Sequence, residues 1–139
     1  IKWTENLPNE DLKNSSQALM ARNYAKLDPL QAASWDEGLN SDGQSNQYAV
    51  GMVVDSWRKT DPAAAVGWLA SFENDKNKLS GTYYQAFSSW ADQDPGAATQ
   101  YLDSMNNSRN KDYAIYGLTR TLSSKEPEQA MALDRKSVV

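Results

Sequence analysis

The chain predicts an all-α fold, an α-solenoid in which antiparallel helix pairs of about 33 residues stack into a superhelix, and three observations carry that prediction. First, an acid followed by proline returns four times, as Asp28-Pro29, Asp61-Pro62, Asp94-Pro95 and Glu126-Pro127, at steps of 33, 33 and 32 residues. Second, three more columns keep that register. Alanine stands third after each proline (Ala32, Ala65, Ala98, Ala130), and a large side chain stands sixth after it (Trp35, Trp68, Tyr101, Leu133). A second large side chain stands four before each acid: Tyr24, Trp57, Trp90 and Leu122. Third, apolar residues between these landmarks recur at spacings of three and four, the mark of helices with one buried face.

Taken in order, Trp3 lies 32 residues before Trp35 in the large-residue column, so the chain is expected to begin inside a repeat. Residues 5–11 are polar and turn-forming and read as a loop, followed by a helix over Ser15 to Lys26 with Met20, Ala21 and Tyr24 on one face. Asp28-Pro29 then opens another helix. Proline presets φ and lacks only an N–H that a first helical turn leaves unpaired, while the aspartate before it accepts from that turn and sits at the positive end of the helix dipole. The other acid-proline pairs read the same way.

After a loop from Glu37 to Asn46, a helix over Gln47 to Arg58 carries Val50, Val53, Val54 and Trp57 on one stripe. Its β-branched content would suit a strand, but its register with the other segments assigns a helix, and no sheet is predicted. The next helix runs from Pro62 to Phe72, where Ala65, Trp68 and Leu69 face the stack; alanine admits a neighbouring backbone and the indole fills the space beside it. Beyond a loop at Glu73 to Lys78, a helix over Ser80 to Asp92 presents Tyr83, Ala86, Phe87 and Trp90. The Asp94-Pro95 helix follows, then a loop from Asn106 to Asp112 and a helix over Asp112 to Ser123 with Ile115, Leu118 and Leu122. The last unit begins at Glu126-Pro127 and the sequence stops about one turn after Leu133, where another helix would be expected. Residues 1–139 therefore read as one helical-repeat domain and as a fragment of a longer array.

The string Trp90-Ala91-Asp92-Gln93-Asp94-Pro95-Gly96-Ala97-Ala98, echoed from Trp57 to Ala65, resembles a family of bacterial αα-hairpin repeats that carry Trp-Ala-x-x-Asp-Pro-x-Ala-Ala followed by a Trp-Leu pair. The resemblance covers nearly the whole chain. More loosely, it is similar to tetratricopeptide and HEAT-like solenoids, and so implies a protein-binding scaffold. Tetratricopeptide units have a shorter turn and a different Gly and Tyr pattern, so their peptide-clamp residues do not transfer. The last unit departs, with Leu122, Glu126 and Leu133 replacing two aromatics and an aspartate.

Composition narrows the function classes. The chain has no histidine and no cysteine, which removes the commonest general base, thiolate chemistry and two of the best metal ligands, so no catalytic residue, cofactor or metal is expected. Acid pairs such as Asp36 with Glu37 and Asp92 with Asp94 fall at helix ends, where capping accounts for them. Residues 36–43 lack the acid spacing of an EF-hand. A net charge of −4 without runs of Lys or Arg predicts no nucleic-acid partner, and the longest apolar stretch, Tyr48 to Val54, is too short for membrane insertion. Compartment stays open between a bacterial envelope or periplasm and the cytoplasm.

Two columns set off the buried stripe hold the candidate site. One reads Arg22, Asp55, Ser88 and Arg120; the other reads Ala18, Gly51, Tyr84 and Tyr116, with Leu19, Met52, Gln85 and Gly117 one residue on. Arg22, Met52, Asp55, Tyr84, Gln85, Ser88, Tyr116 and Arg120 are the partner-binding candidates, with tyrosines as amphipathic anchors and arginines for a carboxylate or a ring. The function expected is a non-catalytic scaffold binding a protein or peptide along an extended surface. The alternatives are a spacer within a larger envelope-associated protein or enzyme, and a carboxylate-based helical-toroid enzyme.

Overall fold

The computed structural model describes residues 9–39, 47–72 and 79–135, and within them it holds eight α-helices and no strand. These are α1 (Glu10–Leu27), α2 (Pro29–Leu39), α3 (Gln47–Trp57), α4 (Pro62–Ala70), α5 (Ser80–Gln93), α6 (Pro95–Ser104), α7 (Arg109–Ser123) and α8 (Pro127–Asp134). Expectations for Trp3, for the segments 40–46 and 73–78, for the chain end at 136–139 and for the side chains of Asp36 and Glu37 lie outside the described residues.

Each acid-proline pair is a corner made by one non-helical residue. Proline forces the residue before it out of the helical region, and Asp28, Asp61, Asp94 and Glu126 are non-helical at φ −150, −145, −149 and −138°. The N–H of the acid still closes the preceding helix, donating to the carbonyl of Tyr24, Trp57, Trp90 or Leu122 at 2.9, 2.9, 2.7 and 2.6 Å. Its carbonyl opens the next helix by accepting from Ala32, Ala65, Ala98 or Ala130 at 3.0 to 3.1 Å. In the three aspartates, Oδ1 also accepts from the backbone N–H of Gln31, Ala64 and Ala97 at 3.0, 2.9 and 3.0 Å. Glu126 makes no such side-chain bond. Three of the four columns seen in the sequence, the acid-proline pair, the large residue before it and the alanine after it, are thus parts of one hydrogen-bonded corner, and its alanines are buried at every corner.

Two helices start earlier than the polar composition suggests. α1 begins at Glu10, inside the expected loop, because the Asn9 side chain accepts from Asp11 N at 2.9 Å and two acids occupy the first turn. α7 begins at Arg109, three residues before the expected start, because the Ser108 hydroxyl accepts from Lys111 N at 3.2 Å. α2 extends through Leu39, so the loop expected from Glu37 begins later. α4 instead stops at Ala70, two residues short. There the chain tightens into bonds from Ser71 N to Trp68 O and Phe72 N to Leu69 O, at 3.0 and 3.1 Å.

The first helices of successive pairs pack on one another, α1 on α3, α3 on α5 and α5 on α7, and each second helix touches its own first helix. α2, α4 and α6 also touch the first helix of the pair that follows. Most of the expected stripes are buried: Val50, Val53 and Val54 of α3, Ala65 and Leu69 of α4, Tyr83, Ala86 and Phe87 of α5, and Ile115, Leu118 and Leu122 of α7; Trp68, Met20 and Tyr24 are only half-buried, and the buried apolar face of α1 is Ala18, Ala21 and Ala25. The two large-residue columns meet in ring contacts at the second and third corners. Trp57 lies 6.2 Å from Trp68 and Trp90 lies 5.5 Å from Tyr101, centroid to centroid, while the last corner closes with buried Leu122 and Leu133. Tilted rings at such distances add about 0.5–1.5 kcal/mol beyond area burial.

Candidate functional site

The tightest helix pairing, α5 with α7, positions the candidate site. At Gly117 an added Cβ would stand 2.4 Å from the carbonyl oxygen of Tyr84, so glycine is what lets the two backbones meet. A polar seam runs beside that contact. Ser80 donates to Asn110 Oδ1 at 3.0 Å, the hydroxyls of Ser88 and Thr121 bond at 2.8 Å, and Lys125 pairs with Asp92.

On the outer side of this seam the Tyr84 and Tyr116 rings lie 5.4 Å apart at an interplanar angle of 31°. Arg120 Nη1 donates to Tyr84 Oη at 3.1 Å. Tyr116 is 59% exposed, Arg120 is exposed and Tyr84 is half-buried, so the cluster offers ring faces, a phenol and a fixed positive charge to solvent. These are the means of holding a partner.

The structure brings together three of the eight candidates, Tyr84, Tyr116 and Arg120, and distributes the rest. Ser88 faces Thr121 in the seam. Asp55 is engaged by Arg58, whose Nε and Nη2 lie at 3.1 and 2.6 Å, and by Lys59 at 3.8 Å; Arg58 also donates to Ser89 across to α5. Met52 is half-buried on α3 and Gln85 is exposed on α5. Arg22 is exposed on α1, which packs chiefly on α3.

Two residues that the columns did not single out extend the cluster along α7. Tyr113 is 37% exposed, and the Arg109 guanidinium carbon stands 5.8 Å from the centre of its ring. Arg109, Tyr113, Tyr116 and Arg120 follow at spacings of four, three and four, which is one helical face. That signal is in the sequence, but it becomes readable only when the helix starts at Arg109.

A second concavity lies at α1 and α2. It is an open groove of about 490 Å³ lined by Met20, Asn23, Tyr24, Leu27 and Trp35, with the Tyr24 hydroxyl turned to Gln31 Oε1 at 2.6 Å. Leu27 is 85% exposed at its rim, and Leu30 is exposed at the start of α2. Among the described residues no group of three metal-ligating side chains comes together, and no helix is long and apolar enough to cross a membrane. Comparison with known proteins finds no matching family model, no matching curated protein and no matching solved structure.

Proposed function

We propose that this chain forms an α-solenoid of αα-hairpin repeats and acts as a non-catalytic scaffold that binds a protein or peptide along its helix faces. One observation carries the binding reading: the Tyr84, Tyr116 and Arg120 cluster stands at the surface of the best-packed helix pair, preorganised by a ring contact and a hydrogen bond. Rigid aromatic anchors with a guanidinium cost little conformational entropy when they bind. The solenoid reading is supported by four repeats of one corner and by helix contacts that run from each pair to the next.

The test separates packing from recognition. Replacing both Tyr84 and Tyr116 by alanine should lower stability by only about 1–2 kcal/mol, measured by thermal and urea unfolding, while abolishing binding of peptides selected on the native chain. A loss as large as that of a buried indole would mean that the tyrosines are core, and the binding reading would fall.

One observation favours a spacer instead. Two of the column residues, Asp55 and Ser88, are held by neighbouring side chains. A spacer predicts that the double tyrosine variant changes no binding at all, in the same assay.

A further inference from the structure

Resting on the scaffold reading, we infer that the outer face of α7 docks an extended acidic peptide whose two carboxylates stand on one face of it, about four or six residues apart, with apolar or aromatic side chains between them. At about 100° per residue, Arg109, Tyr113, Tyr116 and Arg120 fall within an arc of about 60°, and Tyr84 of α5 adjoins them through its ring contact with Tyr116. The order of this face is cation, ring, ring, cation. Arg109 and Arg120 are separated along the axis by about 16 Å, from a rise of 1.5 Å per residue. An extended peptide advances about 3.3 Å per residue and alternates its side chains between two faces, so carboxylates on one face of it reach both flexible guanidiniums at an even spacing of about four or six residues.

Charge complementarity selects the occupant. Among the described residues no carboxylate lies within ion-pair distance of Arg109 or Arg120, whereas the nearby acid Asp92 is paired with Lys125 and Asp55 with Arg58 and Lys59. Asp112 is exposed on α7 outside the arc. Arg109 also stands at the first position of α7, where the helix dipole opposes a cation. Its placement therefore works against helix stability and in favour of an external anion. Two guanidiniums on a chain of net charge −4 suit two carboxylates at short range rather than the continuous charge of a nucleic acid.

The experiment selects a displayed library of random peptides on the whole chain, then measures the selected peptides by fluorescence anisotropy at physiological salt, with single-stranded oligouridine as a second probe. Expected is enrichment of peptides with two acids about four or six residues apart. Changing either acid to Asn or Gln in the peptide should weaken binding about tenfold, as should each of Arg109→Gln and Arg120→Gln in the protein, the loss expected for a charge-assisted hydrogen bond. The peptide substitutions keep the test intact if a protein variant folds poorly. Selection of basic or uncharged peptides that are lost on Tyr113→Ala and Tyr116→Ala would overturn the acidic occupant and leave the scaffold reading standing. Selected peptides indifferent to every α7 substitution would overturn the docking face but not peptide binding. Failure to enrich any peptide would overturn both, and tight binding of oligouridine in place of acidic peptides would overturn the inference in favour of RNA.

Discussion

Gly117 shows how much one missing methyl group governs. A Cβ there would meet the Tyr84 carbonyl at 2.4 Å, and because that atom belongs to the backbone it cannot rotate away; α5 and α7 would have to part. Gly117→Ala is therefore expected to destabilise by about 1–3 kcal/mol despite alanine's better helix propensity. Gly67 is the contrast. Nothing lies within 4 Å of a Cβ built there, so Gly67→Ala should stabilise by about 0.5–1 kcal/mol. Thermal unfolding of the two variants should show melting temperatures moving in opposite directions. Gly117 shared a column with Leu19, Met52 and Gln85 in the sequence, but its role there is steric, and only the facing backbone of α5 reveals it.

Among the elements, the acid-proline corner was the most legible because its causes are local. Proline removes an N–H, its predecessor is driven out of the helical region, and an aspartate in that position has nothing nearer to accept from than the turn it caps. Asp94→Ala should cost about 1 kcal/mol, whereas Glu126→Asp should gain about 0.5–1 kcal/mol by supplying the side-chain cap that α8 lacks. Chemical denaturation that finds no gain for Glu126→Asp would show that the longer side chain caps α8 in solution. The starts of α1 and α7 were less legible. Asn9 and Ser108 cap those helices, but Asn, Ser and Asp serve turns and first helical turns alike, so polar composition alone pointed to loops. Misplacing the start of α7 had a consequence for the site, since it hid Arg109 and with it the full Arg-Tyr-Tyr-Arg face.

At the scale of the whole chain, ring contacts join α3 to α4 and α5 to α6, and the first helices pack on one another from pair to pair. Trp90 is 6% exposed and touches both Phe87, at 5.7 Å, and Tyr101, at 5.5 Å. Trp90→Ala should cost about 3–5 kcal/mol, a large share of the stability of a domain this size. Trp68 is only partly buried, and its replacement should cost less. Urea titrations of the two variants should place the Trp90→Ala midpoint below that of Trp68→Ala. If the order is reversed, burial of the indole does not set the cost of its removal.

The sequence alone determined the helical class, the corners at the acid-proline pairs and most of the buried stripes, because each depends on interactions within a few residues of the chain. Tertiary structure decided which side chains of a column stay available. Ser88 and Asp55 share a register position with Arg120, yet Thr121 and Arg58 satisfy the first two, while the Tyr84 hydroxyl holds Arg120 at the surface. Periodicity places residues on a helix face, and a partner three positions on, as Arg58 is to Asp55, can be found locally, but Ser88 and Arg120 are bonded by the neighbouring helix, whose residues lie more than thirty positions away in the chain.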